Sequence, residues 1–338
     1  MNQRIRIGFL THSEGEGDPR RIYQETLELF AAADELGFDS GWLAEHHFRE
    51  VMGRLPSLFP FLAAAAERTR NIRLGTAILI LPYMHPLRVA EDAAVVDTLS
   101  NGRLELGIGS GSDPQEFQAF GVDMSQRQVL TTEAVTILQK ALRGEPLGES
   151  GVRLQPPAPT LVDRLWQSAA SVFGAQFVAR QGAGLILQRA PGSFTYQNQV
   201  PVATTYLENW SGPTPPRLAI SRGVYPAADK RTALAELGEE LAGHIQGLVK
   251  QGQLPAGLSL EDYCQQMTIA YGHPDEIVEF LLADQVLPYA TDLILQFKPA
   301  MPSLDRALRM FEQIATQIAP ALGWQPHQQQ PVQESISS

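Results

Sequence analysis

The 338-residue sequence has one cysteine, Cys264. A lone thiol can form neither an intrachain disulfide nor a thiolate metal cluster. Long apolar runs are also missing, since none reaches the roughly 18 residues that a membrane-spanning helix needs. Basic residues are few, 26 against 37 acidic ones, for a net charge of −11 at pH 7. A surface of that sign repels nucleic acid and anionic lipid, so neither is expected as a partner. Residues 1–6 run straight into a strand-like segment with no apolar leader, which points to a cytoplasmic protein. The Gly-x-Ser-x-Gly elbow of serine hydrolases is absent. In Gly107-Ile108-Gly109-Ser110-Gly111-Ser112 a serine stands where a dinucleotide fingerprint needs its third glycine, so no dinucleotide fold is implied.

What remains is ordinary globular usage, 44% hydrophobic and 19% charged. A core of this size needs no covalent staples. The length fits two domains or one α/β barrel. Short apolar or β-branched runs at residues 5–10, 40–44, 72–81, 104–108, 165–169, 185–187, 217–224 and 291–297 alternate with amphipathic helical patterns. Eight strand–helix units predict a (β/α)8 TIM barrel over residues 1–324. Residues 145–164 are Pro- and Gly-rich, either a connection inside the barrel or a linker between domains. Residues 188–216 and 225–272 exceed a plain unit and are expected as insertions over the C-terminal rim, the second ending in a Gly/Pro loop. Residues 325–338 form a polar tail.

In such a barrel the chemistry sits on the loops that follow the strands. Those loops carry His12, Glu45-His46-His47, His85, Asp113 and the turn Gly109-Ser110-Gly111. A metal site would draw on His12, His46, His85 and Asp113. Adjacent histidines at a strand end point to opposite sides, so at most one of His46 and His47 enters the site. The glycine-rich turn can cradle a phosphate with its backbone N–H groups. Ser171 and Gly174 open a helix that could accept the same anion. Met84, Met124, Phe117 and Phe120 either line an apolar pocket or belong to the core. Cys264 has no activating neighbour in sequence and is read as a packed residue.

Three stretches together resemble the bacterial luciferase-like, flavin-dependent monooxygenases: Trp42-Leu43-Ala44-Glu45-His46-His47-Phe48, residues 75–92 with Ile80-Leu81-Pro82 and His85-Pro86-Leu87-Arg88, and residues 100–121 with Gly107-Ile108-Gly109 and Phe120-Gly121. The match is strong over residues 1–145 and weaker beyond. Arg54-Leu55-Pro56-Ser57, Pro156-Pro157-Ala158-Pro159 and residues 164–167 and 182–187 resemble a subgroup of FMN-dependent members with undefined substrates. The resemblance implies FMN across the C-terminal rim and a non-prolyl cis peptide at Ala77-Ile78 against the flavin ring. It places the FMN phosphate on Ser110 and Gly111, on Arg127, and on the turn from Ser171 to Gly174. It makes His46 the catalytic histidine and includes no metal.

The implied activity uses FMNH2 and O2, through a C4a-peroxyflavin, to oxygenate a small organic substrate, with a separate flavin reductase as partner. The two insertions would act as lids. A homodimer is compatible with the apolar Leu58-Phe59-Pro60-Phe61-Leu62, although core packing explains those residues equally well. Luminous members carry Cys, Arg and Glu where Gly109, Ser110 and Ala170 stand here. Bioluminescence is therefore not expected, Arg127 would carry most of the phosphate charge, and Gly109 would leave space above the ring. The alternatives are F420-dependent hydride transfer on the same barrel, a non-catalytic flavin-binding protein, and a metal hydrolase.

Overall fold

The computed structural model describes residues 4–51, 53–187, 196–250, 252, 254–297 and 302–326. Ten strands form in chain order: β1 (Arg6–Thr11), β2 (Ser40–Leu43), β3 (Arg73–Thr76), β4 (Leu79–Ile80), β5 (Leu104–Gly109), β6 (Leu165–Ser168), β7 (Gly184–Leu187), β8 (Leu218–Pro226), β9 (Ile269–Gly272) and β10 (Asp292–Phe297). The helices are α1 (Pro19–Glu35), α2 (Leu58–Arg68), α3 (Pro86–Leu99), α4 (Pro114–Ala119), α5 (Arg127–Leu142), α6 (Val172–Arg180), α7 (Tyr196–Glu208), α8 (Lys230–Lys250), α9 (Leu260–Gln266), α10 (Pro274–Leu282) and α11 (Leu304–Gln313). The strands pair in parallel, and β10 pairs with both β1 and β8, so the sheet closes on itself. With β3 and β4 counted as one interrupted stave, and β9 left out because it pairs only with the end of β8, eight staves and their helices make the expected (β/α)8 TIM barrel.

The run at residues 72–81 is not one strand. The ladder stops at Thr76, the Ala77–Ile78 peptide is cis, and pairing resumes at Leu79 opposite Ile108. Residues 145–164 are no linker, since Leu154, Ala158 and Leu161 are buried in the same core as the flanking strands. Of the first expected insertion, residues 188–195 lie outside the described residues. Residues 196–208 form α7, which packs on α6 and returns the chain to β8. The second contains α8, α9 and a strand where a Gly/Pro loop was expected. That strand, β9, pairs with the end of β8 from Gly223 to Pro226, above the barrel wall. Its four residues are too short for a periodicity to show. Ala233, Leu237, Leu241 and Tyr263 tie this stretch into the main core. Residues 327–338 of the tail lie outside the described residues.

Two indoles fill the barrel's interior. Trp42 and Trp166 are fully buried and meet edge to face, with centroids 5.7 Å apart. Each lies over a glycine on the next stave. A Cβ at Gly75 would sit 2.1 Å from the Trp42 ring, and one at Gly184 would sit 2.4 Å from Trp166. The glycines are therefore slots for the tryptophans, and any side chain there would displace an indole. The Leu58–Leu62 segment is likewise spent inside the chain, with Phe61 packed on Tyr23 and Phe30. It offers no apolar face to a second copy.

The N-terminal end of the barrel is closed by a buried acid. Glu105 on β5 accepts a 2.6 Å bond from Trp166 Nε1 and pairs with Arg73 and, at 3.4 Å, with Arg217. Burial alone would raise its pKa, but Arg73, Arg217, Arg6 and the indole N–H together hold it below the usual carboxylate range. Removing one partner of such a buried pair typically costs about 3–5 kcal/mol. Glu105→Gln is expected to lower stability by about 3 kcal/mol at neutral pH in denaturant titrations. Because the folded pKa is depressed, this contribution is present above the unfolded value near pH 4.3 and is lost as pH falls through the folded value. The gap between wild type and variant should narrow below about pH 4, and a gap that stays constant down to about pH 3 contradicts the assignment.

Candidate active site

The C-terminal ends of the staves surround two joined cavities. The larger, about 720 Å³, lies over β5 and β6 and reaches α5, α6 and α7. The smaller, about 300 Å³, lies over β1 and β2. Ile78, Gly111 and Ser112 line both.

One end of the larger cavity is lined by two small-residue turns and an arginine. β5 ends at Gly109, and the chain turns through Ser110 and Gly111. Gly111 has φ +67°, and a Cβ there would lie 2.7 Å from Ile80 Cγ2. Arg127 opens α5, half-buried, with Nη1 3.3 Å from Met124 O. Gln128 Nε2 donates to Ser110 Oγ at 3.2 Å. Across the cavity Ser171 caps α6, its Oγ accepting from the Gly174 N–H at 3.1 Å. The N-terminal end of α6 therefore borders the same space, with the partial positive charge that helix starts carry. Among the described residues Arg127 is the one charged residue in this lining, and Ile78, Phe177, Ile186 and Leu187 add an apolar wall.

Gly109 does not leave the expected space. A Cβ at that position would fall 1.9 Å from Ile78 Cδ1 and 2.8 Å from Ser168 Oγ. The Ile78 side chain already occupies the room that the missing Cβ vacates.

The smaller cavity holds the titratable groups. His12 at the end of β1 and His46 after β2 lie with rings 5.3 Å apart and His12 Nδ1 3.1 Å from His46 Nε2. Glu116, 2% exposed, accepts from the His47 backbone N–H at 3.0 Å and puts Oε1 4.0 Å from His46 Nδ1. Arg49 and Asp113 pair at the mouth, and Gln296 reaches in from β10. His47 turns the other way, into a ring cluster with Tyr83 and Phe120. One histidine of the pair thus enters the site, as strand geometry requires.

Beneath His46, Glu45 Oε2 accepts from the Ile80 N–H at 2.7 Å. Burial pushes its pKa up to about 8, Glu116 adds to the rise, and the Ile80 bond opposes it. Burial lowers the pKa of His47. The 3.8 Å contact between these two is therefore between a protonated acid and a neutral imidazole, not an ion pair. Burial also pushes Tyr83 up to about 12, with Glu116 and Glu45 contributing.

The expected site residues thus fall into two groups. Ile78, Ser110, Gly111, Arg127, Ser171 and Gly174 line the larger cavity, while His46 and Ala77 line the smaller. Of the residues weighed for a metal, His12, His46 and Asp113 line the smaller cavity, whereas His85 stands at the start of α3. Among the described residues no group of three His, Cys, Asp or Glu is placed to hold a metal ion. Met84, Met124, Phe117 and Phe120 line neither cavity. Cys264 is buried, and burial pushes its thiol up to about 12, consistent with a packed residue. The sequence reading assigned no role to Glu116 or Gln296, and no motif marks them.

Glu45 carries a pH signature. Its folded pKa lies above the unfolded value, so it favours folding fully below about pH 4.3, and this is lost as pH rises through about 8. The melting temperature is expected to fall between pH 5 and 9, and to fall less in Glu45→Gln, which keeps an acceptor for Ile80. Thermal melts showing the same slope in both proteins would refute it.

The model of the luciferase-like monooxygenases matches residues 5–286. The chain is 36% identical over 194 residues to the 4-hydroxyprotoasukamycin monooxygenase of Streptomyces nodosus subsp. asukaensis, covering 54% of this chain and 52% of that one. It spans about half the length of the curated relatives it matches. Among solved structures, the monooxygenase RslO1 of Streptomyces bottropensis superposes with a TM-score of 0.79 at 24% identity, over 94% of this chain and 100% of that one. The oxygenating constituent of 3,6-diketocamphane monooxygenase from Pseudomonas putida, solved with FMN, gives 0.78 at 19%, over 96% and 100%. The coenzyme F420 dependent tetrahydromethanopterin reductase of Methanopyrus kandleri shares the barrel, at 0.68 and 17%, over 95% and 99%. The match to the family model across most of the chain, on a closed barrel with both cavities at its C-terminal rim, makes this protein a member of the luciferase-like monooxygenase family.

Proposed function

We propose that the chain binds reduced FMN in the larger cavity and uses O2 to oxygenate a small, mostly apolar organic substrate, with a separate flavin reductase supplying the FMNH2. The observation that carries this reading is the charge pattern of that cavity. Among the described residues it has one cation, Arg127, two small-residue turns and a helix N-terminal end at one side, and an apolar wall at the other. A phosphate on a flat aromatic ring system has the matching pattern. The volume, about 720 Å³, lies within the usual range for cofactor-sized ligands. Gln167 Nε2, in the cavity wall, is a buried donor without a partner, as expected of a group that a ligand satisfies.

Ser110, Gly111, Arg127, Ser171 and Gly174 would hold the phosphate, and Ala77 and Ile78 would back the ring. Reduced flavin, when bound, supplies the electrons that activate O2. The chain's own groups position the reactants and manage protons. His46, at the edge of the space that Ile78 shares between the cavities, is the acid–base group. The second reading is F420-dependent hydride transfer, which the shared barrel keeps open. Its longer acidic tail asks for more cations, and among the described residues the larger cavity offers only Arg127.

Arg127→Ala is expected to weaken FMN binding about 10- to 100-fold, the worth of one charge-assisted hydrogen bond, while riboflavin binding stays within about threefold. Calorimetric titration of the purified protein with FMN, FMNH2, riboflavin and F420 reads this directly. Tighter binding of F420 than of FMNH2, or no preference for FMN over riboflavin, would overturn the assignment. Tight FMN binding without O2 consumption after reduction would make the chain a flavin-binding protein instead.

A further inference from the structure

We propose that His12 is a second acid–base residue of this site, sharing one proton with His46, and that Glu116 is the positioning residue that holds the outer His46 nitrogen protonated. The use of this dyad rests on the monooxygenase reading, but its existence does not. Both rings are set by their backbones. His12 stands between Thr11 and Ser13 in a tight turn, where Ser13 N donates to Thr11 Oγ1 at 3.1 Å and Ser13 Oγ meets Thr26 Oγ1 at 2.9 Å. Gly53 packs against His46 so closely that a Cβ there would lie 2.4 Å from the ring. The 3.1 Å contact between His12 Nδ1 and His46 Nε2 needs one nitrogen with a hydrogen and one without.

Glu116 decides which. Its Oε1, fixed by the His47 N–H, faces His46 Nδ1 and favours a hydrogen there. His46 Nε2 is then the acceptor, His12 Nδ1–H the donor, and His12 Nε2 the basic nitrogen. A proton taken at His12 Nε2 leaves the hydrogen bond intact. Passing the Nδ1 hydrogen to His46 Nε2 moves the positive charge toward Glu116. A second proton would set two N–H groups against each other, so the pair accepts one proton readily and the next with difficulty. Among the described residues, Glu45, Arg49 and Asp113 also line this cavity. Arg49 and Asp113 pair with each other, and burial holds Glu45 protonated up to about pH 8. Glu116 contributes a carboxylate on the Nδ1 side of His46.

The test is a ¹⁵N NMR titration of histidine-labelled resting protein, with His12→Asn as the variant. Asparagine places an N–H donor where His12 Nδ1–H stands but takes up no proton. Wild type is expected to titrate in two coupled steps, each moving both rings, separated by more than about one pH unit. His12→Asn should leave His46 with one step. In the reaction FMNH2 + O2 → FMN + H2O2, the pH profile of H2O2 release should lose one ionisation in His12→Asn. The rate at neutral pH should fall about tenfold or more, with FMN affinity within threefold. Independent single-step titrations of the two rings in wild type, or a wild-type pH profile in His12→Asn, would overturn the dyad. The resting-state titration needs neither flavin nor substrate, so a failure of the oxygenase assay alone counts against the monooxygenase reading and not against the dyad.

Discussion

The Ile78 side chain and a side chain at residue 109 cannot occupy the same space. Gly109 on β5 yields that space, and Ile78 fills it to within 1.9 Å of where a Cβ would stand. Much of the rim depends on this exclusion. Ile78 becomes the wall common to both cavities, facing the Arg127 side on one flank and His46 on the other. A side chain at 109 would push Ile78 into one cavity or the other and change both volumes at once. The two cavities are in this sense one packing problem.

The indoles of Trp42 and Trp166 impose a second constraint by filling the barrel between its ends. Polar groups are left to the two mouths, and two buried glutamates show how differently the mouths treat the same residue. Glu105 stays ionised because Arg73, Arg217 and Arg6 outweigh its burial. Glu45 is equally hidden, but its nearest charge is another carboxylate, Glu116, so it keeps its proton to about pH 8. Neutral Glu45 lets Glu116 stand as a carboxylate beside His46 without a second negative charge below it. The N-terminal mouth is an ion-pair closure that serves stability. At the C-terminal mouth burial instead moves the pKa of Glu45 to about 8, an uncompensated shift of the kind that marks candidate functional sites.

The barrel was legible because its staves are short apolar runs separated by amphipathic helices, a pattern that depends only on local burial. The turn residues that line one end of the larger cavity were legible for a related reason. Ser110, Gly111, Ser171 and Gly174 each follow a stave, and stave ends are where a barrel keeps its loops. Two kinds of feature were not legible. β9 is four residues long and owes its conformation to the projecting end of β8 rather than to its own pattern. Glu116 lies 69 residues from the His47 amide it binds, on a six-residue helix, so nothing in spacing could join them. The surplus room once expected at Gly109 was misjudged because a glycine reveals only that a side chain is missing, not whether a neighbour has taken its place.

The acidity of the whole chain and the anionic cofactor proposed for it are compatible because they act over different distances. At physiological ionic strength, exposed charges farther than about 8 Å from a site are largely screened. The net charge of −11 thus affects approach far more than the bound state. Arg127 is half-buried at the cavity, where screening is weaker, and among the described residues no carboxylate shares that lining. The acids that face the rim are gathered in the smaller cavity, where Arg49, the bond to the His47 amide, or a retained proton offsets each of them. Among the described residues, negative charge is thus gathered in the smaller cavity, and the larger one is locally positive within an acidic protein. One arginine, together with the α6 N-terminal end, is what the proposed anion would meet there.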